Sequence, residues 1–317
     1  MAKKRFNRRV LLAAIETTYG TDATPTGTVN AVVSRNLEID PLEGEELQRE
    51  LDKGTFGADP GTLVGQHARI RLQVEVAGAG AAGDVPAWDA LMRAAGHVQD
   101  SDDPGGSPTE IYYDPIDTGV DSCTFYFHGD DQRHRVVGAR GSVTMEFGKR
   151  QYGYFQFEFL GLILDVTDTA TPAIDQSAFV KPVPFRAANV DFSLFGATRA
   201  LHSLTITGGQ QVDFYETSVE ESLEQQDRNS SWQASIEQPS ISDWDWFSAI
   251  QNDTIGALEY IHGTTAGNIV QIDAGEVQAL SPPRRQNEGG IVALQLGGSI
   301  IASSTSAQTT GYRVTVK

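Results

Sequence analysis

Tyr126-Phe127-His128-Gly129, followed by Gly141-Ser142-Val143, returns later in the chain as Tyr260-Ile261-His262-Gly263, followed by Gly275-Glu276-Val277. Overlaid without a gap at an offset of 134 residues, windows 126–143 and 260–277 share six of eighteen positions: Tyr126/Tyr260, His128/His262, Gly129/Gly263, Val136/Val270, Gly141/Gly275 and Val143/Val277. Unrelated windows of this length share far fewer. A second echo lies at an offset of 137, where Gly153 to Gly161 (GYFQFEFLG) matches Gly290 to Gly298 (GIVALQLGG), with Phe157/Leu294 and Phe159/Leu296 as apolar counterparts. Self-similarity at a period this long points to a duplicated domain and not to a solenoid of short repeats. The expected organisation is one fold used twice.

Strand patterns surround the repeat. Ala68, Ile70, Leu72, Val74 and Val76 alternate with Arg69, Arg71, Gln73 and Glu75, and Leu37 and Ile39 alternate with Glu38 and Asp40. Period-two alternation marks antiparallel strands with one buried and one wet face. In the second half Trp232, Ala234 and Ile236 alternate with Gln233, Ser235 and Glu237. Each half also carries one helix signal. Pro86 opens a turn before Trp88, Leu91, Met92 and Ala95, which Gly96 ends, and Asp243 is placed to cap a helix holding Trp244, Phe247 and Ile250. The predicted class is mainly β with minor α: two tandem copies of a sandwich- or barrel-forming domain, each with one flanking helix, because βαβ alternation is missing. The expected boundaries are a basic arm over 1–34, a first domain over 35–165, a Thr- and Pro-rich linker over 166–187 and a second domain over 188–317. Residues 41–66, rich in acidic residues, glycine and proline, are too long for an idle connection and are expected to dock on something.

Charge narrows the partners. The chain has 24 basic and 42 acidic residues, a net −18, so its surface repels nucleic acid, whose non-specific affinity comes from Lys and Arg displacing counterions. Lys3, Lys4, Arg5, Arg8 and Arg9 sit together at the start, leaving 19 basic against 42 acidic residues beyond them. The apolar Val10–Ile15 that follows imitates a signal peptide but is shorter than a secretory apolar region, and no stretch reaches the ~20 residues needed to cross a bilayer. The expectation is a soluble protein made in the cytoplasm, with no membrane insertion. One cysteine, Cys123, excludes an intramolecular disulfide.

Apparent site motifs fade under comparison of the halves. Gly78-x-Gly80-x-x-Gly83 follows a strand and precedes a helix, as a dinucleotide fingerprint would, but the strand alternates and the second half has Pro239-Ser240-Ile241-Ser242 there. Cys123, His128, Asp130, Asp131 and His134 suggest a metal site, yet only the histidine recurs: Ala257, His262, Thr264, Thr265 and Asn268 stand opposite. No nucleophile, base or paired-carboxylate pattern appears. The reading is no enzyme, no cofactor and no metal.

Leu11-Leu12-Ala13-Ala14-Ile15-Glu16-Thr17-Thr18-Tyr19-Gly20-Thr21-Asp22 resembles the opening of major tail tube proteins from long, non-contractile bacteriophage tails. The likeness continues through Asn36 to Gly57, the strand ending Val74-Glu75-Val76-Ala77-Gly78 and the segment Pro86 to Gly96. It implies a β-sandwich with a flanking helix, six copies of which form each ring of a hollow tube, four strands per copy closing an inner barrel around passing DNA. It also implies a place in the virion tail after assembly in the host bacterial cytoplasm, beside tape-measure, terminator and tip proteins. A duplicated chain would build that ring as a trimer with pseudo-sixfold symmetry. Twenty-four strands at ~4.8 Å give a circumference near ~115 Å and a diameter near ~37 Å, wide enough for duplex DNA. Glu38, Asp40, Gln73, Glu75, Glu146 and Glu158 are the candidate lumen-facing residues, repelling phosphate so that DNA passes without specific binding. Lys3, Lys4, Arg5, Arg8 and Arg9 are the candidate contacts to a neighbouring ring. Two alternatives stand beside this one: a monomeric β-rich baseplate or adhesion module, and a dinucleotide-binding enzyme using Gly78, Gly80 and Gly83.

Overall fold

The alternating apolar stretches fold into strands that pair antiparallel throughout, in a computed structural model that describes residues 3–49, 51–302 and 310–317. The first half runs β1 (Arg9–Ile15), β2 (Ala31–Val32), β3 (Arg35–Leu47), β4 (Thr62–Glu75), α1 (Asp89–Ala94), β5 (His97–Ser101), β6 (Ile111–Pro115), β7 (Cys123–Gly129), β8 (Arg133–Gly148) and β9 (Tyr154–Thr167). The second runs β10 (Val190–Leu194), β11 (Ala197–Thr198), β12 (Leu201–Thr207), β13 (Gln210–Glu216), β14 (Glu221–Arg228), β15 (Ser231–Glu237), α2 (Trp246–Gln251), β16 (Ile255–His262), β17 (Val270–Ala279), β18 (Arg284–Glu288), β19 (Ile291–Ile300) and β20 (Tyr312–Val316). The protein is mainly β, with two helices of six residues each among the described residues.

The pairing of one half has its counterpart in the other, which is compatible with one fold used twice. β4 pairs with β3 and β9, and β9 with β8; β15 pairs with β12 and β19, and β19 with β17 and β18. β7 and β16, which carry the repeated Tyr-x-His-Gly, each take an early strand on one side: Val10 lies opposite His128, and Val190 opposite His262. Val10–Ile15, preceded by basic residues, therefore forms part of the sheet, and with β2 it lies within the stretch 1–34 expected as an arm.

One pairing makes the halves continuous. β8 of the first lies against β12 of the second, from Thr144 opposite Thr207 to Gly148 opposite Ser203. The result is a long sheet in the order β3-β4-β9-β8-β12-β15-β19, with β17 and then β18 along its far side. Its inner face buries Ile70, Leu72, Val74, Phe155, Phe157, Phe159, Met145, Phe147, Leu204, Ile206, Ile236, Leu294 and Leu296 in one core. Phe147 of β8 packs on Tyr260 of β16 with ring centroids 4.3 Å apart, so the core also crosses from half to half. β20 adds a second join by pairing with β17 on one side and β6 on the other.

The helices differ in how they are held. Trp88, just before α1, is buried and donates its indole N–H to the Ala77 carbonyl at 2.8 Å. Leu91 and Met92 are fully buried, and Gly96 ends the segment at φ +79, a conformation that costs glycine little. In the second half the cap is Asp245, two residues later than expected, its carboxylate accepting from the Ser248 backbone N–H at 2.9 Å. Trp244 stays outside α2 and packs on Phe195, centroids 5.3 Å apart. No residue of α2 is buried, which is why apolar spacing misplaces its start.

Two buried polar groups fasten distant segments. Glu16 takes four donors: Ser122 Oγ at 2.6 Å, Thr124 Oγ1 at 2.8 Å, and the backbone N–H groups of Gly20 and Gly138, each at 2.8 Å. His97 lies between the Met92 carbonyl, 3.1 Å from Nδ1, and the Tyr312 hydroxyl, 2.9 Å from Nε2. Removing the carboxylate in Glu16→Ala strands the donors it satisfies and is expected to cost about 3 kcal/mol in urea unfolding. Burial pulls the His97 pKa down from 6.5 to about 4. The unfolded chain then binds the extra proton between those values, so this stability is complete above pH 6.5 and is lost as pH falls toward 4, about 3 kcal/mol over the window. Unfolding midpoints measured from pH 7 to 4.5 should fall less steeply in His97→Gln than in the parent chain.

Candidate functional site: a polar sheet face between two free edges

Because side chains alternate along a strand, burying one face of the long sheet forces the intervening residues onto the other. Glu38, Asp40, Gln73, Glu75, Glu146 and Glu158 all fall on that outer face. The register sets them in rows: Glu38 opposite Arg71, Arg71 opposite Glu158, and Glu158 opposite Ser142. A second row runs Glu75, Tyr154, Glu146, Thr205 and Gln233 across the join between the halves.

The face is not uniformly acidic. Arg69 reaches Glu158 at 2.6 Å and Glu43 at 2.9 Å, and Arg71 reaches Asp40 at 3.1 Å and Glu158 at 3.6 Å. Gln73 accepts from Asn36 at 3.1 Å and donates to Gln156 at 3.3 Å. Glu38, Glu75 and Glu146 have no ion-pair partner among the described residues and leave the face a net negative charge. Across β12 and β15 it carries Ser203, Thr205, Thr207, Gln233 and Ser235, with Glu237 the charged residue at the end of β15. Such half-exposed ion pairs contribute little stability. Their effect is to hold the guanidinium groups against neighbouring carboxylates.

The five basic residues at the start divide. Arg8 meets the Asp130 carboxylate at 2.8 Å, and the Arg5 backbone N–H donates to the same group at 2.6 Å. Lys4 meets Asp168 at 3.1 Å. Arg9 donates to the Leu37 carbonyl and covers the Phe6 ring. Lys3 is exposed.

Two hairpins end in exposed apolar side chains. β3 and β4 pair as far as Leu47 opposite Thr62, so part of the long segment 41–66 is strand; its tip exposes Leu51 and Phe56. β13 and β14 form a separate two-stranded hairpin between β12 and β15 that packs on the first half, Phe214 stacking on His67 with centroids 5.8 Å apart and Glu224 meeting Arg140 at 2.6 Å, and it exposes Tyr215 and Val219 toward its end. Exposed apolar side chains gathered on projecting tips mark contact surfaces.

The glycine and metal-like motifs have structural explanations. A Cβ at Gly78 would lie 2.3 Å from the Gly267 carbonyl oxygen, and one at Gly83 would lie 1.8 Å from that of Pro108. Gly78 N–H also donates to Asn268 Oδ1 at 2.8 Å. Gly78 thus lets a loop of the first half lie directly on the Gly263–Asn268 turn of the second, while Gly83 lets the same loop pass against Pro108 of its own half. Cys123 is buried in the core, and its thiol pKa is pushed up by burial and then by the Glu16 charge. Asp131 accepts from the Thr171 backbone N–H at 3.0 Å. Among the described residues no group of three or more His, Cys, Asp or Glu side chains is placed to share a metal ion, and no helix is long and apolar enough to cross a membrane.

Sequence reading missed the edges. β3 and β18 each pair on one side only among the described residues. β18 begins just after Pro282-Pro283, a turn signal ahead of the polar run Arg284-Arg285-Gln286-Asn287-Glu288. Its lack of alternation hid it.

A long sheet with one buried face, one polar face and a strand unpaired on its outer side at each end, and no site for chemistry among the described side chains, is the frame of a structural protein. The family model described as phage tail tube protein matches residues 7–306, and the chain belongs to that family. It is therefore a structural component of a phage tail. A search of the curated proteins gave no match.

Proposed function

We propose that three copies of this chain close into a ring with pseudo-sixfold symmetry, and that rings stack into the hollow tube through which the phage genome passes. The two units of the fold are residues 35–165 and 188–317, joined by 166–187. The observation that carries this reading is the β8–β12 pairing, which already joins the four-stranded wall of one half to that of the other inside a single chain. Repeating that join between chains wraps the sheet into a barrel of the size estimated from its strand count, and a closed barrel leaves no sheet edge open.

In that barrel the polar face lines the channel and the buried face carries the outer layer. Glu38, Asp40, Gln73, Glu75, Glu146 and Glu158 then face DNA. Their net negative charge, with the arginines engaged by carboxylates, repels phosphate and keeps the genome from adhering. The β3–β4 tip with Leu51 and Phe56, and the β13–β14 tip with Tyr215 and Val219, reach neighbouring rings. The basic stretch of Lys3, Lys4, Arg5, Arg8 and Arg9 meets the acidic body of an adjacent ring. At the ends of the tube the partners are the tape-measure, terminator and tip proteins, and assembly takes place in the host cytoplasm.

Native mass spectrometry and negative-stain microscopy of the purified chain at rising concentration test the assembly. Three-chain rings or hollow tubes support it, whereas single chains under every condition would sink it. Deleting residues 2–9 should lower tube yield and weaken its dependence on salt; unchanged yield and salt response would remove the arm from the ring-to-ring contact.

A further inference from the structure

We infer that the ring closes by antiparallel pairing of β18 in one chain with β3 in the next, in the register of the internal β8–β12 join. The inference rests on the ring reading above and names the edges and residues that make the contact.

The register follows from equivalent positions. Leu72 lies opposite Phe157 on the β4–β9 ladder and Ile236 opposite Leu294 on the β15–β19 ladder, and Phe157 and Leu294 are counterparts in the sequence repeat. Arg71 therefore corresponds to Ser235. Because Glu38 lies opposite Arg71 and Ser203 opposite Ser235, β3 occupies in the first half the place of β12 in the second, with Asp40 equivalent to Thr205. On the other side Ser142 lies opposite Glu158 and Arg284 opposite Gln295, so β18 occupies the place of β8, with Glu288 equivalent to Glu146. β8 and β12 are paired, Glu146 opposite Thr205. β18 and β3 are the two strands in the same roles whose outer sides are open.

Transferring that register puts Asp40 of one chain opposite Glu288 of its neighbour. Each is already matched within its own chain, Asp40 by Arg71 and Glu288 by Lys149. The β3–β4 ladder then carries two irregularities, between Asp40 and Glu43, where the extra residue is on β3, and between Glu43 and Glu45, where it is on β4 and leaves the spacing along β3 unchanged. Carried across the one extra residue on β3, the register brings Arg284 opposite Glu45, with Glu43 two positions away on the same strand.

Charge favours this contact over an edge meeting its own kind. β3 displays Glu38, Asp40, Glu43, Glu45 and Glu46 against Arg35 alone, whereas β18 displays Arg284 and Arg285 against Glu288. Two β3 edges would set like charges face to face, so the head-to-tail arrangement is favoured and the symmetric dimer opposed. Arg284 is exposed and its side chain has no partner among the described residues. The internal join is closed by apolar Met145 and Phe147 against Leu204 and Ile206, while the equivalent β18 positions are Asn287 and Gly289. The contact between chains therefore depends on backbone hydrogen bonds and charge, and an unpaired edge of this polarity stays soluble.

The test pairs cysteines across the contact in the full-length chain. Opposed residues bring their Cβ atoms within disulfide reach, and the buried, raised-pKa thiol of Cys123 stays out of the reaction. Under mild oxidation Glu45→Cys combined with Arg284→Cys should give covalent two- and three-chain species and nothing longer, because the ring closes at three. Glu45→Cys with Glu288→Cys, out of register, should give at most about a tenth as much. In parallel, Arg284→Glu should cut ring yield about tenfold while leaving the circular dichroism of the monomer unchanged, and adding Glu45→Arg should restore it. Rings that cross-link only through the out-of-register pair, or a charge exchange that does not restore yield, would overturn the β18–β3 register and leave the ring standing. A parent chain that forms no rings would overturn the ring reading and this contact with it.

Discussion

The backbone hydrogen bonding between β8 and β12 is the constraint on which the rest of the molecule depends. Each half would otherwise end in an open strand edge, and unpaired N–H and C=O groups along an edge invite pairing with any available strand. The join satisfies those groups inside one chain and fixes the register, because a slip by one residue would turn Met145, Phe147, Leu204 and Ile206 out of the core. The packing follows from that register. Phe155, Phe157 and Phe159 line up on β9 with successive centroids 6.3 and 5.7 Å apart, and Phe147 carries the aromatic contact over to Tyr260 in the second half.

The repeated Tyr-x-His-Gly shows how two related strands are put to different uses. Tyr260 is fully buried in the main core, and its hydroxyl lies 3.0 Å from His262 Nδ1, while Nε2 of that histidine lies 2.7 Å from the Val183 carbonyl. Tyr126 sits instead in a small satellite cluster with Leu12 and Ala31, and its hydroxyl donates to Asp22 at 2.7 Å. The backbone role is shared and the side-chain role is not. In the second half the histidine ties down the segment joining the halves; in the first the tyrosine secures the chain just after β1.

Much of this architecture was legible in the sequence because its signals are local. Alternation from Ala68 to Val76 gave β4 and its wet face, Trp88, Leu91 and Met92 marked the buried side of α1, and the echo of Phe157 by Leu294 aligned β9 with β19. What escaped depends on residues far apart in the chain. Val10–Ile15 resembles a leader when taken alone and becomes β1 only beside Phe125 and Phe127. Arg284–Glu288 has no apolar alternation, and its partner β19 and its turn define it as a strand. Alternation sets each outer-face carboxylate on the polar side of its own strand, but that these sides form one face, and that arginines offset several of the charges, follows only from the cross-strand register.

The position of β20 between β17 and β6 bears on the order in which a chain becomes competent. During synthesis β6 emerges long before β20, so its outer side, and with it the β5–β6 hairpin carrying His97, has no partner until the second half has been made through β20. The hydroxyl of Tyr312, which meets His97, arrives with the same strand. Completion of the layer built on β6 in the first half thus waits on a strand of the second. A chain synthesised only as far as β19 lacks this support, so the β5–β6 hairpin reaches its final contacts after the strands of the long sheet have been made.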